Sequence, residues 1–122
     1  MNKLILALKI VLGVMLVIFG SNKFIGFMPV LEFANPNASI FFGALSDSYV
    51  LKTVGIIEVV VGLLLLTNRA IPFSLILLAP ISINIILFHA TLDPANIGPG
   101  AFVFLVNAFL IFKNWDSYKT LF

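Results

Sequence analysis

One carboxylate, Glu58, sits in the middle of an apolar run, nine residues from either end of the segment 49–67. A charge at the centre of a bilayer costs about 2.5–3.5 kcal/mol on insertion scales, so such a residue needs a partner or a cavity. Gly55 and Gly62 lie at i−3 and i+4 from it, on the same helical stripe. A stripe without side chains lets a neighbouring helix or a ligand come close. Two readings follow: Glu58 is held by a hydrogen bond in a tight helix contact, or it faces a functional pocket.

A second polar group follows Pro80, which removes a backbone N–H and kinks its helix. Ser82, Asn84 and His89 lie beyond it. Asn84 and His89 are about 140° apart around a helix, so they flank a wide cavity or only one of them faces it. His89 is the single histidine. It reads equally as an interfacial residue bonded to a loop carbonyl, and alone it is weak evidence for a metal. The first apolar run closes on Gly20-Ser21-Asn22-Lys23-Phe24, and Gly13 and Gly20 give it a close-packing stripe of its own. Lys23 is the nearest cation for Glu58 if the chain folds back at Gly26, while Lys52 snorkels to the headgroups. Asn107 is the sole polar residue of the last apolar run and reads as helix–helix glue.

Asn22, Lys23, Glu58, Asn84 and His89 are thus expected to converge in one half of the molecule. A carboxylate, amides and an imidazole in an apolar frame suit a lipophilic ligand with a polar head, a quinone or a lipid headgroup. Glu58 could also pass a proton. No spaced metal motif, phosphate loop or nucleophile elbow is present, and no metal is expected.

The elements that must position these residues are hydrophobic. The chain has 122 residues, 61% of them hydrophobic and 10% charged, against about 45–50% and about 25% in ordinary soluble domains. A domain of this length cannot bury that much apolar surface, so the excess faces lipid. With no cysteine, disulfides and thiol redox chemistry are excluded for the chain itself. A net charge of +2 is no nucleic-acid footprint.

A membrane helix needs about 20 apolar residues. Helices are expected at about 4–20, 49–67, 71–90 and 99–113, with Pro99 as a helix-starting residue and Trp115 as part of an interfacial anchor. The fold class is therefore all-α: a single domain, 1–122, forming a four-helix transmembrane bundle. The first run lacks a small-x-small site after it and reads as a retained helix rather than a cleaved signal. Residues 67–70 make a tight turn, and 91–100 is turn chemistry throughout. The connection 21–48 mixes Phe24, Phe27, Phe33, Phe41 and Phe42 with Pro29, Asn35, Pro36 and Asn37. It is too polar to span and too aromatic to float free, and is expected to lie at the interface as a short amphipathic helix. Lys3, Arg69, Lys113 and Lys119, with Lys9 close by, fall on one side, and Glu32, Asp47 and Asp93 on the other. The positive-inside rule then puts both termini in the cytoplasm.

The string Gly20-Ser21-Asn22-Lys23-Phe24 resembles the Gly-x-x-Lys pattern of the DoxX family. Residues 55–64, with Glu58 followed by Gly62-Leu63-Leu64, are similar to that family's Glu-x-x-x-Gly-Leu-Leu helix, and Phe88-His89 matches its closing histidine. The resemblance covers nearly the whole chain. It implies a small four-helix protein of the bacterial inner membrane, with Lys23, Glu58 and His89 as pocket residues. It also implies a quinone-linked subunit or, alternatively, an accessory subunit of a larger membrane complex. No intrinsic cofactor is expected, quinone being the one candidate, and the isolated chain leans away from catalysis.

Overall fold

The computed structural model describes residues 2–28 and 32–122, which leaves Pro29 outside the described residues. Six α-helices follow in order: α1 Asn2–Ile25, α2 Pro36–Asp47, α3 Val50–Leu66, α4 Ile71–Leu92, α5 Ile97–Lys113 and α6 Trp115–Tyr118. Short 3-10 turns cover Pro94–Asn96 and Lys119–Leu121. There is no strand among the described residues.

α1 runs five residues past its expected end at Gly20. A polar residue at the end of an apolar run does not stop a helix, because the backbone bonds continue beneath it. What stops α1 is Gly26, whose φ of 71° only glycine adopts without strain. The Gly26 N–H still donates to the Asn22 carbonyl at 2.8 Å, and the Met28 N–H donates to Asn22 Oδ1 at 2.7 Å. Asn22 and Lys23 therefore belong to the last turns of the helix rather than to a loop.

The aromatic connection contains the short helix expected there. Asn35 caps α2 by accepting the Asn37 N–H at 2.9 Å, and Pro36 supplies a first position whose φ is already helical. α2 meets α3 at a bend of 75°. α3 is two residues shorter than its expected span. At the other end α5 starts at Ile97, so Pro99 is its third residue rather than its first; the missing N–H is harmless at either place, since the first four are unpaired in any helix.

Three segments, Lys3–Ile25, Ile71–Leu92 and Pro94–Lys113, are long and apolar enough to cross a membrane, and α2 with α3 makes a fourth if the bent pair counts as one. α1 packs on α3, α3 on α4, α4 on α5, and α1 touches α5. Each is antiparallel to its neighbour in this series. Both termini and the 67–70 turn thus share one end of the molecule, called the terminal end; the α1–α2–α3 connection and the α4–α5 turn share the loop end.

The interior differs along its length. Toward the terminal end it is mainly aliphatic, with Leu12, Leu16, Val61, Leu75, Leu78 and Leu110 fully buried, and the polar Ser74 and Asn107 buried among them are hydrogen-bonded to α4 carbonyls. α6 closes that end, Tyr118 donating its hydroxyl to the Pro72 carbonyl at 2.7 Å. Further from it the buried residues turn small or polar: Gly55, Glu58, Ser82, Asp93 and Gly100.

Candidate functional site

The four glycines of α1 and α3 meet in two pairs. A Cβ on Gly20 would fall 2.7 Å from the Gly55 carbonyl oxygen, and one on Gly62 would fall 2.7 Å from the Gly13 carbonyl oxygen. Backbone therefore lies directly on backbone at two points seven residues apart, the kind of close helix contact in which weak Cα–H···O interactions recur.

That approach brings Lys23 to Glu58. Helical side chains lean toward the N-terminus of their own helix. In an antiparallel pair the two lean in opposite directions, so Lys23 bends down α1 toward Phe19 while Glu58 bends up α3 toward Gly55. They meet at 2.6 Å between Nζ and Oε1. Nζ also donates to the Phe19 carbonyl at 3.4 Å. Gly55 makes the crossing possible: a Cβ there would sit 3.1 Å from Lys23 Cβ and 3.0 Å from the Phe24 ring. Glu58 is buried at 2% exposure, while Lys23 keeps 19%. At that distance the ammonium faces Oε1 directly, and the pair is a buried charge contact.

The other expected pocket residues do not join this pair. Asn22 is spent on the turn after α1. Asn84 faces outward and donates to the Pro80 carbonyl of its own helix at 2.8 Å. His89 turns to the α4–α5 connection, where Nδ1 donates to Asp93 Oδ2 at 3.2 Å. A carboxylate only accepts, which places the imidazole proton on Nδ1. Of the five residues, the structure brings Lys23 and Glu58 together as an ion pair and places Asn22, Asn84 and His89 apart from it. Lys23 reaches Glu58 from within α1, with no need for a fold-back at Gly26.

Asp93 belongs to this corner as well. It is 3% exposed and also accepts from Asn96 Nδ2 at 3.0 Å on both oxygens. Its signal was the spacing His89-x-x-x-Asp93-Pro94, one helical turn followed by a helix stop. Gly100 gives this corner room, since a Cβ there would fall 3.0 Å from His89 Cδ2. Phe33 and Phe41 pack on Phe88 at ring-centre distances of 5.7 Å, the latter stacked, so the connection before α3 is tied to the end of α4. Asn107 bridges α4 and α5: its Nδ2 donates to the Leu75 carbonyl at 3.0 Å, and its Oδ1 accepts from Ser82 Oγ at 2.8 Å.

Two shallow grooves open on the outward side of α3. One, of about 490 Å³, is lined by Val60, Leu63, Leu64, Thr67 and Arg69; the other, of about 300 Å³, by Ser21, Phe24, Ile25, Ile56, Val59 and Val60. Neither is lined by Lys23 or Glu58, which face the interior.

Compared with protein family models, with curated proteins and with solved structures, the chain matches none.

Proposed function

We propose that this chain is a DoxX-like integral membrane protein, a four-helix transmembrane bundle with an interfacial aromatic helix. In this reading it serves as an accessory subunit of a larger membrane complex and performs no catalysis on its own. The observation that carries the reading is the closure of Lys23 and Glu58 into a glycine-lined helix contact, with Asn22, Asn84 and His89 each committed to its own helix or turn. Such a pair fixes two helices against each other and presents a rigid surface to a partner. The lysine and arginine distribution supports termini in the cytoplasm of a bacterial inner membrane, with α2 on the far side. A reporter enzyme fused after Lys119 and active only outside the cytoplasm would refute that orientation.

A second reading, a redox-associated subunit that binds a quinone or a lipid headgroup, is favoured by one feature. Glu58 is a buried carboxylate whose one cation, Lys23, is still partly exposed. A polar ligand head reaching the exposed side of Lys23 would extend the pair into a binding site. Native mass spectrometry after gentle extraction from the membrane separates the two. Co-purifying protein partners that survive Glu58→Gln but are lost in Gly55→Leu support the accessory role. A bound quinone or lipid lost in Glu58→Gln supports the second reading.

A further inference from the structure

The two grooves on α3 lie next to each other along the helix, and Val60 lines both. The α3 residues that line them, Ile56, Val60, Leu63, Leu64 and Thr67, make a single, mostly exposed and mainly apolar stripe at helical spacing. From Ile56 to Thr67 the helix rises about 16 Å at 1.5 Å per residue. Half of a hydrocarbon core of about 30 Å is about 15 Å. The stripe is thus as long as one leaflet is deep.

The pair of grooves is mainly apolar along its length and cationic at one mouth. Arg69 lines that mouth and joins no ion pair among the described residues. On α1, the Lys9 ammonium donates to Oδ1 of Asn68, the chain neighbour of Arg69, at 3.2 Å. Around this end the chain carries Lys3, Lys113 and Lys119 as well, against the single acid Asp116, which Lys119 already engages at 3.1 Å. A long apolar stripe ending in uncompensated positive charge at interface depth is complementary to an acyl chain that ends in a phosphate.

We propose that the outward face of α3 binds one acyl chain of an anionic phospholipid, with the headgroup phosphate held at Arg69. The site rests on the membrane reading above and is separate from the Lys23–Glu58 pair: Lys23 and Glu58 line neither groove, and Arg69 lies at the other end of α3 from them. Arg69 gives the selectivity, since a basic residue near an anionic headgroup is worth roughly fivefold in binding. Val60 gives the capacity, because it lines both grooves.

The test uses the full chain reconstituted in vesicles of equal parts phosphatidylglycerol and phosphatidylcholine, then extracted into mild detergent for native mass spectrometry. Wild type is expected to retain phosphatidylglycerol over phosphatidylcholine. Arg69→Gln lowers that preference by about fivefold, and Lys52→Gln, at the loop end, leaves it unchanged. Val60→Trp fills both grooves and removes both lipids while Arg69 remains. Equal retention of the two lipids by wild type, an Arg69→Gln variant as selective as wild type, or retained quinone in place of phospholipid would each overturn the proposal. Co-flotation with the vesicles reads the membrane assignment separately: protein that floats but shows no lipid preference sinks this site alone, and protein that does not float sinks both.

Discussion

Adding one methyl group at Gly62 should cost far more than adding one at Gly43. At Gly62 the new Cβ would lie 2.7 Å from the Gly13 carbonyl oxygen, 2.8 Å from Val17 Cγ2 and 3.1 Å from the Val17 nitrogen. Two of these neighbours are backbone and cannot rotate away. Reaching an ordinary C···O distance of about 3.3 Å requires α1 and α3 to part by about 0.6 Å. A gap of that order forfeits a quarter to a half of each facing dispersion contact. Overpacking typically costs about 1–3 kcal/mol, and each weakened Cα–H···O contact adds about 0.5–1 kcal/mol. Exchanging a helical glycine for alanine returns roughly 0.5–1 kcal/mol of backbone entropy. The net expectation for Gly62→Ala is a loss of about 1–3 kcal/mol from the same terms. At Gly43, within α2, a Cβ meets nothing within 4 Å. Only the entropy gain remains, so Gly43→Ala should stabilise by about 0.5–1 kcal/mol. Thermal unfolding in mild detergent, followed by loss of the monodisperse chromatographic peak, measures both against wild type. The two midpoints should move in opposite directions. If Gly62→Ala is as stable as wild type, the backbone-on-backbone contact does not exist at the described distance.

Other outcomes follow from the polar contacts. Lys23→Met strands Glu58 inside the protein and should cost about 3 kcal/mol, the low end for breaking a buried pair because Lys23 keeps 19% exposure; the double variant Lys23→Met, Glu58→Met should recover most of this in the same unfolding assay, and simple additivity would contradict the pairing. Ala70 enters α4 with φ of 48°, a left-handed conformation costly for any residue with a Cβ, so Ala70→Gly should raise stability by about 1 kcal/mol, and a lowered midpoint would contradict that strain. Asn107→Leu removes both contacts across α4 and α5 and should cost about 0.6–1.7 kcal/mol, the range of hydrogen bonds between membrane helices; a variant more stable than wild type would show the bridge to be idle.

How far the sequence reveals this arrangement depends on whether a residue's use is local. The glycine spacings in α1 and α3 are legible because a bare stripe seven residues long makes sense only against another backbone. Asn35-Pro36 marks the start of α2 for a similar reason, a capping side chain followed by a pre-set φ. Asn84 is not legible. α4 is apolar on every face, and a helix without an amphipathic phase gives no sign of which polar residue turns inward. Asp93 is missed because an acid in a turn reads as solvated, and only the fold shows His89 and Asn96 closing over it. The reach of Lys23 depends on α1 continuing to Gly26, a boundary that the end of the apolar run misplaces.

The glycine seam and the ion pair also need each other. Helices in lipid gain little hydrophobic driving force by associating, so close packing and polar contacts decide both whether and how they pair. A repeat of seven on both helices is ambiguous as a register signal. Sliding α1 along α3 by seven residues, about 10 Å, would still set one glycine against another, Gly13 on Gly55 or Gly20 on Gly62. The same slide would carry Lys23 away from Glu58 and leave a carboxylate buried without its cation, at a cost of several kcal/mol. The ion pair therefore selects one register among those the glycines allow. Gly55 lets it do so, since any side chain there would meet Lys23 Cβ and the Phe24 ring. The charge that is expensive to bury is what makes the wrong pairing more expensive still.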